Sequence, residues 1–512
     1  MLGDQVNVID AVEVEGPMNE ADFHTLCLAG YCGNLRSVDL SGAQPEGNVI
    51  PAQAFWIHLQ SNPVEGARNQ SLISTVILPD QITEIGMLAF HNLPLTDFKF
   101  PASLKSIGQA AFLGTLDWKE ETLVLPDQLE TIGYRAFSHK DFKKVVLPAS
   151  IKEIGDLAFS QCLVEEINLP EGLETIGKHA FYWTDLKSVS IPASVTSLGS
   201  GAFSWCQELK EAVLPEGMTS VPAELFSGCE NLVSVNMPST VVSIGESAFS
   251  ACLAIESMTL PEGLASIGRN AFFRCNFKTL DIRCADDVVK PQMFAGMDRL
   301  ESVTIPDSWE QLRDGLFMNC GLREVTLPAQ LKTVDKEAFM GCVNLTSVTL
   351  PEGLESVGES AFSYCHLQKL ELPASVTSLA AGSFALGVWG DVYSLNPVPP
   401  VCDDQNMLMG AYGNTLYVPA GSKEAYAGAY GWELFNNIAE YDPSAIGDIA
   451  ADGDAAVKVC GGAIVVSGGA FEVYTADGRL VASGMADGET QVAATPGIYV
   501  VRVGDTTAKV AL

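Results

Sequence analysis

Residues 185–206 read DLKSVSIPASVTSLGSGAFSWC, and this stretch decides the fold. In its first part Val189 and Ile191 alternate with Ser188 and Ser190, the period-two signature of a strand with one face buried. Pro192 has no N–H to give to a ladder and ends that strand. Leu198, Ala202 and Cys206 then fall four apart, which predicts one face of a short helical turn. Gly199 stands just ahead of that turn, where the backbone needs either a positive φ or room for another segment to approach. A unit of this size has too little surface to bury its own apolar face.

The stretch is one of a series. The proline slot recurs at 79, 101, 126, 148, 170, 192, 215, 238, 261, 306, 328, 351 and 373. Steps are 22 or 23 residues apart from one of 25 and one double step of 45, in which Arg283 stands where proline is expected. Eleven residues after each of these fourteen slots comes a phenylalanine, from Phe90 and Phe112 through Phe249 to Phe362 and Phe384. An atypical earlier copy ends at Phe55. Stacking the copies gives parallel strands about 4.8 Å apart, a continuous interior and a ladder of phenylalanines. About fifteen rungs predict an elongated solenoid on the order of 70 Å.

With its Pro, Ile-Gly and Ala-Phe positions, the run LPEGLETIGKHAFYW (169–183) resembles the BspA-type leucine-rich repeat of bacterial surface proteins, and the resemblance covers roughly residues 34–388. It implies a β-rich, right-handed leucine-rich repeat solenoid, with a parallel sheet on one side and short helical or irregular turns on the convex side. It further implies a secreted or cell-surface protein associated with adhesion to host proteins. The copy around Arg283-Cys284-Ala285-Asp286 departs from the pattern, which puts the regularity of that coil in question.

Exposed ends of a solenoid need caps. Residues 1–33 resemble the N-terminal cap of such arrays, with a strand, a Gly-Pro turn and a short helix before the repeats of 34–388. Residues 389–441 are similar to a closing segment, in which Tyr417, Val418, Tyr426, Trp432, Phe435 and Ile438 are expected to fold a strand and a helix over the last coil. Residues 442–455 are small and acidic and read as a linker. Short strands with an Asp477-Gly478 turn over 456–512 predict a small Ig-like β-sandwich. The order FEVYTADGRLV, PGIYVVRVG, KVAL resembles the C-terminal sorting domains of type IX secreted bacterial proteins, and the other reading is any small stalk domain.

The chain holds 29 Lys+Arg against 63 Asp+Glu in 512 residues, 29 − 63 = −34. That charge argues against nucleic acid, which needs Lys and Arg on its phosphates, and against anionic lipid. With 47% hydrophobic residues it is no disordered acidic tail, and self-repulsion favours a monomer. No stretch has the ~20 apolar residues of a membrane span. The start, MLGDQVNVIDAVEVEG, has neither the basic nor the apolar region of a signal peptide, so either the protein is cytoplasmic or, as an extracellular or cell-surface location requires, a leader was removed ahead of this numbering.

Eight of the 13 cysteines sit three residues after a repeat Phe: Cys162, Cys206, Cys229, Cys252, Cys275, Cys320, Cys342 and Cys365. Leu93, Thr115, Thr184 and Met297 take the same place in other coils, so the slot reads as small or apolar and its thiols as buried and free. Zinc would need short Cys/His spacings, which are absent, and no metal or cofactor is expected. Cys27 and Cys32 are left as an open disulfide pairing. The histidines at 24, 58, 91, 139, 179 and 366 are scattered, and those in the repeats are expected to be exposed. No catalytic elbow, P-loop or dinucleotide motif is present, and paired acids such as Glu165-Glu166 read as solvated surface, so no enzyme is expected.

What remains is the face of the sheet. Outward positions two residues before the proline slot are Asn168, Ser190, Val213, Asn236, Thr259, Asp281, Thr304, Thr326, Thr349 and Glu371. Four before it run Glu166, Ser188, Glu211, Ser234, Ser257, Thr279, Ser302, Glu324, Ser347 and Lys369. This Ser/Thr-rich stripe is the candidate binding face, with a host or extracellular-matrix protein or a glycan as partner; the same residues also suit plain solubility. Tyr182, Trp183 and Trp205 form a second candidate patch on the turn side, where packing between coils is the alternative. The expectation is a non-catalytic extracellular binding protein. The alternative is a structural spacer with no ligand of its own.

Overall fold

Each coil of the repeat uses its residues on three faces, and the reasons are visible one coil at a time. The computed structural model describes residues 8–511 apart from 59–63, 65, 116–120, 442–448, 451–455, 461–462, 468, 476–479, 487–489, 494–497 and 504–505. The chain divides into two units, Met1–Val348 and Thr349–Leu512.

In the first unit, short strands such as Lys144–Val146, Ser188–Ser190 and Glu211–Val213 precede the prolines and pair in parallel in sets of two or three. Val189, Ile191, Ala212 and Leu214 face inward and are at most 4% exposed. The second face is a further sheet that the sequence reading did not anticipate. Two-residue strands ahead of the glycine (Glu84–Ile85, Ser106–Ile107, Thr131–Ile132, Glu153–Ile154, Thr175–Ile176, Ser197–Leu198) stack with Val49–Ile50 into seven parallel strands. Their Ile side chains align in register.

The third face corrects the expected helical turn. Leu198 belongs to a strand, and the Ala-Phe segment that follows carries left-handed residues two before and two after the Phe. His179 has φ 52° and Trp183 φ 55° around Phe181; Gly201 and Trp205 repeat this at 62° and 61° around Phe203. Two such residues within five positions break any right-handed helix. The backbone bonds to the next coil instead: His179, Phe181 and Trp183 donate to the carbonyls of Ser200, Ala202 and Ser204 at 3.0, 2.8 and 2.9 Å. These inter-coil bonds hold ordinary residues in a conformation that glycine would otherwise supply.

For Gly199, close approach is the reason. A Cβ there would lie 2.3 Å from the Lys178 amide nitrogen and 2.4 Å from the Gly177 carbonyl carbon. The same glycine normally donates to the coil before, as Gly199 does to Ile176 O at 2.8 Å. Pro222 occupies this place in its coil and has no N–H to give. The seven-stranded sheet ends there, and an open cleft of about 590 Å³ lies between Leu198 and Pro222.

The phenylalanines form the spine. From Phe55 to Phe203, successive centroids of Phe55, Phe90, Phe112, Phe137, Phe159, Phe181 and Phe203 lie 5.2–5.6 Å apart with nearly parallel rings, and all are 0% exposed. The Arg283 coil keeps the stack, with Phe272 to Phe294 at 6.2 Å and a 34° tilt. Arg283 N–H donates to Leu260 O, a bond proline lacks, and Trp309 fills the coil with its indole donating to Cys284 O at 2.8 Å.

Before the repeats, strand Ala11–Met18 pairs in parallel with Ser37–Pro45, and helix Glu20–Cys32 starts at Asn19 in a capping box. Its Phe23 meets Phe55 edge-on at 5.9 Å. In the second unit Phe362 and Phe384 stack at 5.1 Å. A parallel sheet then runs through Leu370–Leu372, Val392–Ser394, Thr415–Pro419 and Asn437–Tyr441. Helix Lys423–Ala427 buries Tyr426, whose hydroxyl meets Ser394 Oγ and Asn396 O at 2.7 Å, and Trp432 donates to Pro400 O at 2.9 Å. Tyr417 lies on the strand Thr415–Pro419 with its ring on the outer face, because Leu416 and Val418 take the inward positions. Farther on, eight strands form two four-stranded sheets, antiparallel in every pair, around Val457, Ile464, Val466, Phe471, Val473, Val501 and Val503. Most of the segment read as a linker, and the Asp477-Gly478 turn, lie outside the described residues.

Candidate binding face

Because side chains alternate across a strand, inward Val, Ala and Ile fix their neighbours outward. Ser190, Asn168, Asn236, Thr304, Thr326, Thr349 and Glu371 are exposed, and Thr259 and Asp281 are half-buried. Register brings Thr259, Asp281 and Thr304 side by side on three successive strands, and sets Ser190 beside Val213. Asp281 is held by Arg283 at 2.7 Å. Asn168 and Asn236 use their amides on the backbone before them: each amide oxygen accepts from, and each amide nitrogen donates to, Leu147 and Leu214 respectively, at 2.6–3.1 Å. Each replaces a ladder bond where its own strand stops one residue short. The row four before proline carries exposed ion pairs such as Lys144–Glu166 at 3.0 Å, a kind worth little in water.

The outward row changes character in the second unit. Glu371 is followed in register by Tyr393, Tyr417 and Ala439. Tyr393 and Tyr417 stack at 4.6 Å and 10°, Lys369 Nζ sits 4.3 Å from the Tyr393 centroid, and Glu371 holds that ammonium at 2.8 Å. Tyr441 meets Tyr393 edge-on at 6.1 Å. The Ser/Thr-rich stripe of the sequence reading ended at Glu371 and so did not reach these aromatics. The signal that would have found this column was the alternation Leu416-Tyr417-Val418.

Two concavities flank the stretch Asp97–Phe100 between strands Thr75–Ile77 and Thr122–Val124, about 400 and 590 Å³. Phe98 and Phe100 stand where other coils place Val, Ile or Leu, and their rings pack edge-on against Phe112 at 5.0 and 5.6 Å. That segment forms no strand, and the ladder is interrupted beside it. On the turn side Trp183 is 54% and Trp205 44% exposed. Trp205 lies over Gly228 of the next coil, so the pair is partly packing and largely surface.

The cysteine slot proves to be a donor slot. Cys162, Cys206, Cys229, Cys252, Cys275, Cys320 and Cys342 donate their thiols to the carbonyl of the Phe one coil earlier, at 3.0–3.2 Å. Thr115 and Thr184 donate to their own Phe112 and Phe181 carbonyls at 3.0 and 3.1 Å. Burial pushes the thiols of Cys162, Cys275 and Cys342 up to about 12. Cys27 and Cys32 are free, and burial also raises Cys27 to about 12.

The sequence reading passed over the strangest occupant of that slot, Lys140. It is 3% exposed and donates to Thr115 O and Oγ1, and burial pulls its amine down to about 8. Nearby His91 is half-buried rather than exposed, and burial lowers its pKa. Among the described residues no group of three or more His, Cys, Asp and Glu is placed to hold a metal, and no helix is long and apolar enough to cross a membrane.

A family profile described as the BspA type leucine rich repeat region matches residues 67–183, 174–290, 219–339 and 287–386, together more than half of the chain. Among solved structures, a leucine-rich repeat protein from Bacteroides ovatus is 26% identical, covering 70% of this chain and 92% of that one, with a TM-score of 0.49. A leucine rich cell surface protein from Faecalibacterium prausnitzii is 21% identical over 68% of this chain and 83% of that one, with a TM-score of 0.33. A leucine-rich repeat protein of T. pallidum is 31% identical over 36% of this chain and 80% of its own, with a TM-score of 0.27. No curated protein matches.

Proposed function

The chain belongs to the BspA-type leucine-rich repeat family, and on that premise we propose that it is a non-catalytic bacterial surface protein that binds a host or extracellular protein through the outward face of its sheets. The observation that carries this reading is the contrast between two rows on the same strands. Inward residues are apolar, such as Val189, Ala212, Met258 and Leu280, while the outward residues are mostly exposed, in register within each set of paired strands, and chemically varied. A repeat array offers such a row as one extended recognition surface. The C-terminal pair of sheets serves as the attachment or sorting element, in keeping with its resemblance to type IX sorting domains.

The asparagines favour a second reading for part of the face. Asn168 and Asn236 are committed to the backbone, as they would be in a spacer that holds another partner off the cell. Pull-down of the intact chain against immobilised matrix proteins and glycans tests both readings. Binding that is lost on Thr304→Lys with Thr326→Lys supports the first. No ligand across the panel, or binding indifferent to those changes, supports the spacer.

A further inference from the structure

One junction between coils is open on one face and closed on the other two. At an ordinary junction three backbone bonds join the two-residue strands: Thr196 and Ser197 donate to Glu174 O at 3.0 and 3.1 Å, and Gly199 donates to Ile176 O at 2.8 Å. The junction after Pro222 has the same three, from Val242 and Ser243 to Thr219 O and from Gly245 to Val221 O, at 2.8–3.3 Å. The junction at Pro222 has none of them. Pro222 brings no N–H, and its ring carbon replaces the hydrogen that would point at Leu198 O. Among the described residues the Thr219 and Ser220 N–H groups find no acceptor, and the Thr196 and Leu198 carbonyls find no donor.

The gap reaches the interior. Leu173 and Ile176 one coil earlier are 0% exposed, whereas Val195 and Leu198 in the same places are half-buried, as is Met218 opposite. All three line the cleft of about 590 Å³. The other two faces stay joined. Ser188, Val189 and Ser190 pair in register with Glu211, Ala212 and Val213, and Gly201, Phe203 and Trp205 donate to the Ala223, Leu225 and Ser227 carbonyls at 2.9, 3.2 and 2.7 Å. The spine fans out slightly here: Phe203 and Phe226 lie 6.1 Å apart at 21°, against 5.3 Å and 3° for Phe181 and Phe203.

Two held faces and one free face make a hinge. Narrowing the cleft covers Val195, Leu198 and Met218 again, which the hydrophobic effect favours, but it drives the Pro222 ring onto Leu198 O. Widening it costs apolar exposure and breaks no hydrogen bond on that face. We therefore propose that the array flexes at Pro222. The seven-stranded block ending at Ser197–Leu198 and the three-stranded block beginning at Ser220–Val221 swing as separate bodies about the two joined faces. The swing turns the outward row up to Ser190 against the row from Val213 onward, so this coil sets the curvature of that face. The hinge stands whether or not the face binds a partner.

Spin labels on Thr196→Cys and Thr219→Cys read the width of the cleft by dipolar broadening, in the intact chain with the half-buried thiol removed by Cys32→Ser. Labels on Glu174→Cys and Thr196→Cys read a closed junction, and label taken up by the chain without these cysteines is subtracted. The 196/219 pair should show a broader spread of separations than the 174/196 pair. Pro222→Gly and Pro222→Ala each restore the N–H, and a Cβ is tolerated in that slot, since Ala380 donates from it to Val357 O at 2.9 Å. Both changes should narrow the spread to that of the closed junction. Both should also slow hydrogen exchange at Thr219 and Ser220 roughly three- to tenfold, the worth of one hydrogen bond. Equal spreads at the two junctions would overturn the hinge, as would a spread that neither substitution narrows. Exchange at Thr219 and Ser220 as slow as at Val242 and Ser243 in the unaltered chain would show the face to be bonded and overturn it too.

Discussion

Replacing Lys140 by methionine should stabilise the protein at neutral pH, and the benefit should vanish in alkali. The amine is 3% exposed, donates to Thr115 O and Oγ1, and has its pKa drawn from 10.5 to about 8 by burial. A gap of that size corresponds to about 3 kcal/mol of unfavourable charge in the folded state. Because the folded value lies below the unfolded one, the penalty is present in full below about pH 8 and fades as the pH climbs toward 10.5. Methionine removes the charge and leaves the Thr115 carbonyl one donor poorer, a loss of about 1 kcal/mol. Lys140→Met should therefore be more stable by about 2 kcal/mol at pH 7, and the advantage should shrink by about 3 kcal/mol at pH 10.5. Urea unfolding followed by a local fluorescence probe is preferred, since repeat arrays need not melt in two states. Thiols ionise in the same range, in both proteins alike, so the difference between them isolates Lys140; its neighbours His91, Asp141 and Cys162 are also common to both. A difference that does not change with pH, or a variant that is less stable at pH 7, would refute a buried, destabilising lysine.

Three further outcomes follow from the coil. Phe249→Ala empties a fully buried place in the stack and should cost about 3–5 kcal/mol in denaturant titration with a local probe. Cys229→Ala strips the donor from Phe203 O and should cost about 1–3 kcal/mol, and Cys229→Thr should cost a similar amount, because Thr115 and Thr184 turn their hydroxyls to the Phe carbonyl of their own coil and not to the one before. Gly199→Ala pushes a methyl into the Lys178 backbone and should lower stability by about 2 kcal/mol or more by the same titration.

Much of the fold was legible because its strongest signals are one-dimensional. The proline slots and the Phe eleven residues later gave the coil, its length and its interior. Alternation placed Ser190 and Thr304 outward, and register then made them neighbours of Val213 and Asp281. The turn was misread for a physical reason. Leu198, Ala202 and Cys206 are four apart, with Ala202 and Cys206 buried and Leu198 half-buried, yet Leu198 ends a strand, and the next residues reach the core through left-handed kinks. Those kinks fall on Leu157, His179, Glu224 and Ser247, which share no residue preference, because bonds to the next coil impose them. The cysteine slot was read by size, although Cys and Thr share a donor. Tyr417 was grouped with the apolar residues of the closing segment. In the stack of strands its position, not its hydropathy, decides its place.

The account turns on the dryness of the phenylalanine spine, and hydroxyl-radical footprinting reads it residue by residue. Phe272 and Phe273 are adjacent in the chain, the first 2% and the second 57% exposed. Phe273, Trp183 and Tyr364 should be oxidised readily while Phe181, Phe249 and Phe272 stay unmodified until the chain unfolds. Oxidation of Phe272 at the rate of Phe273 in the native protein would contradict the stack.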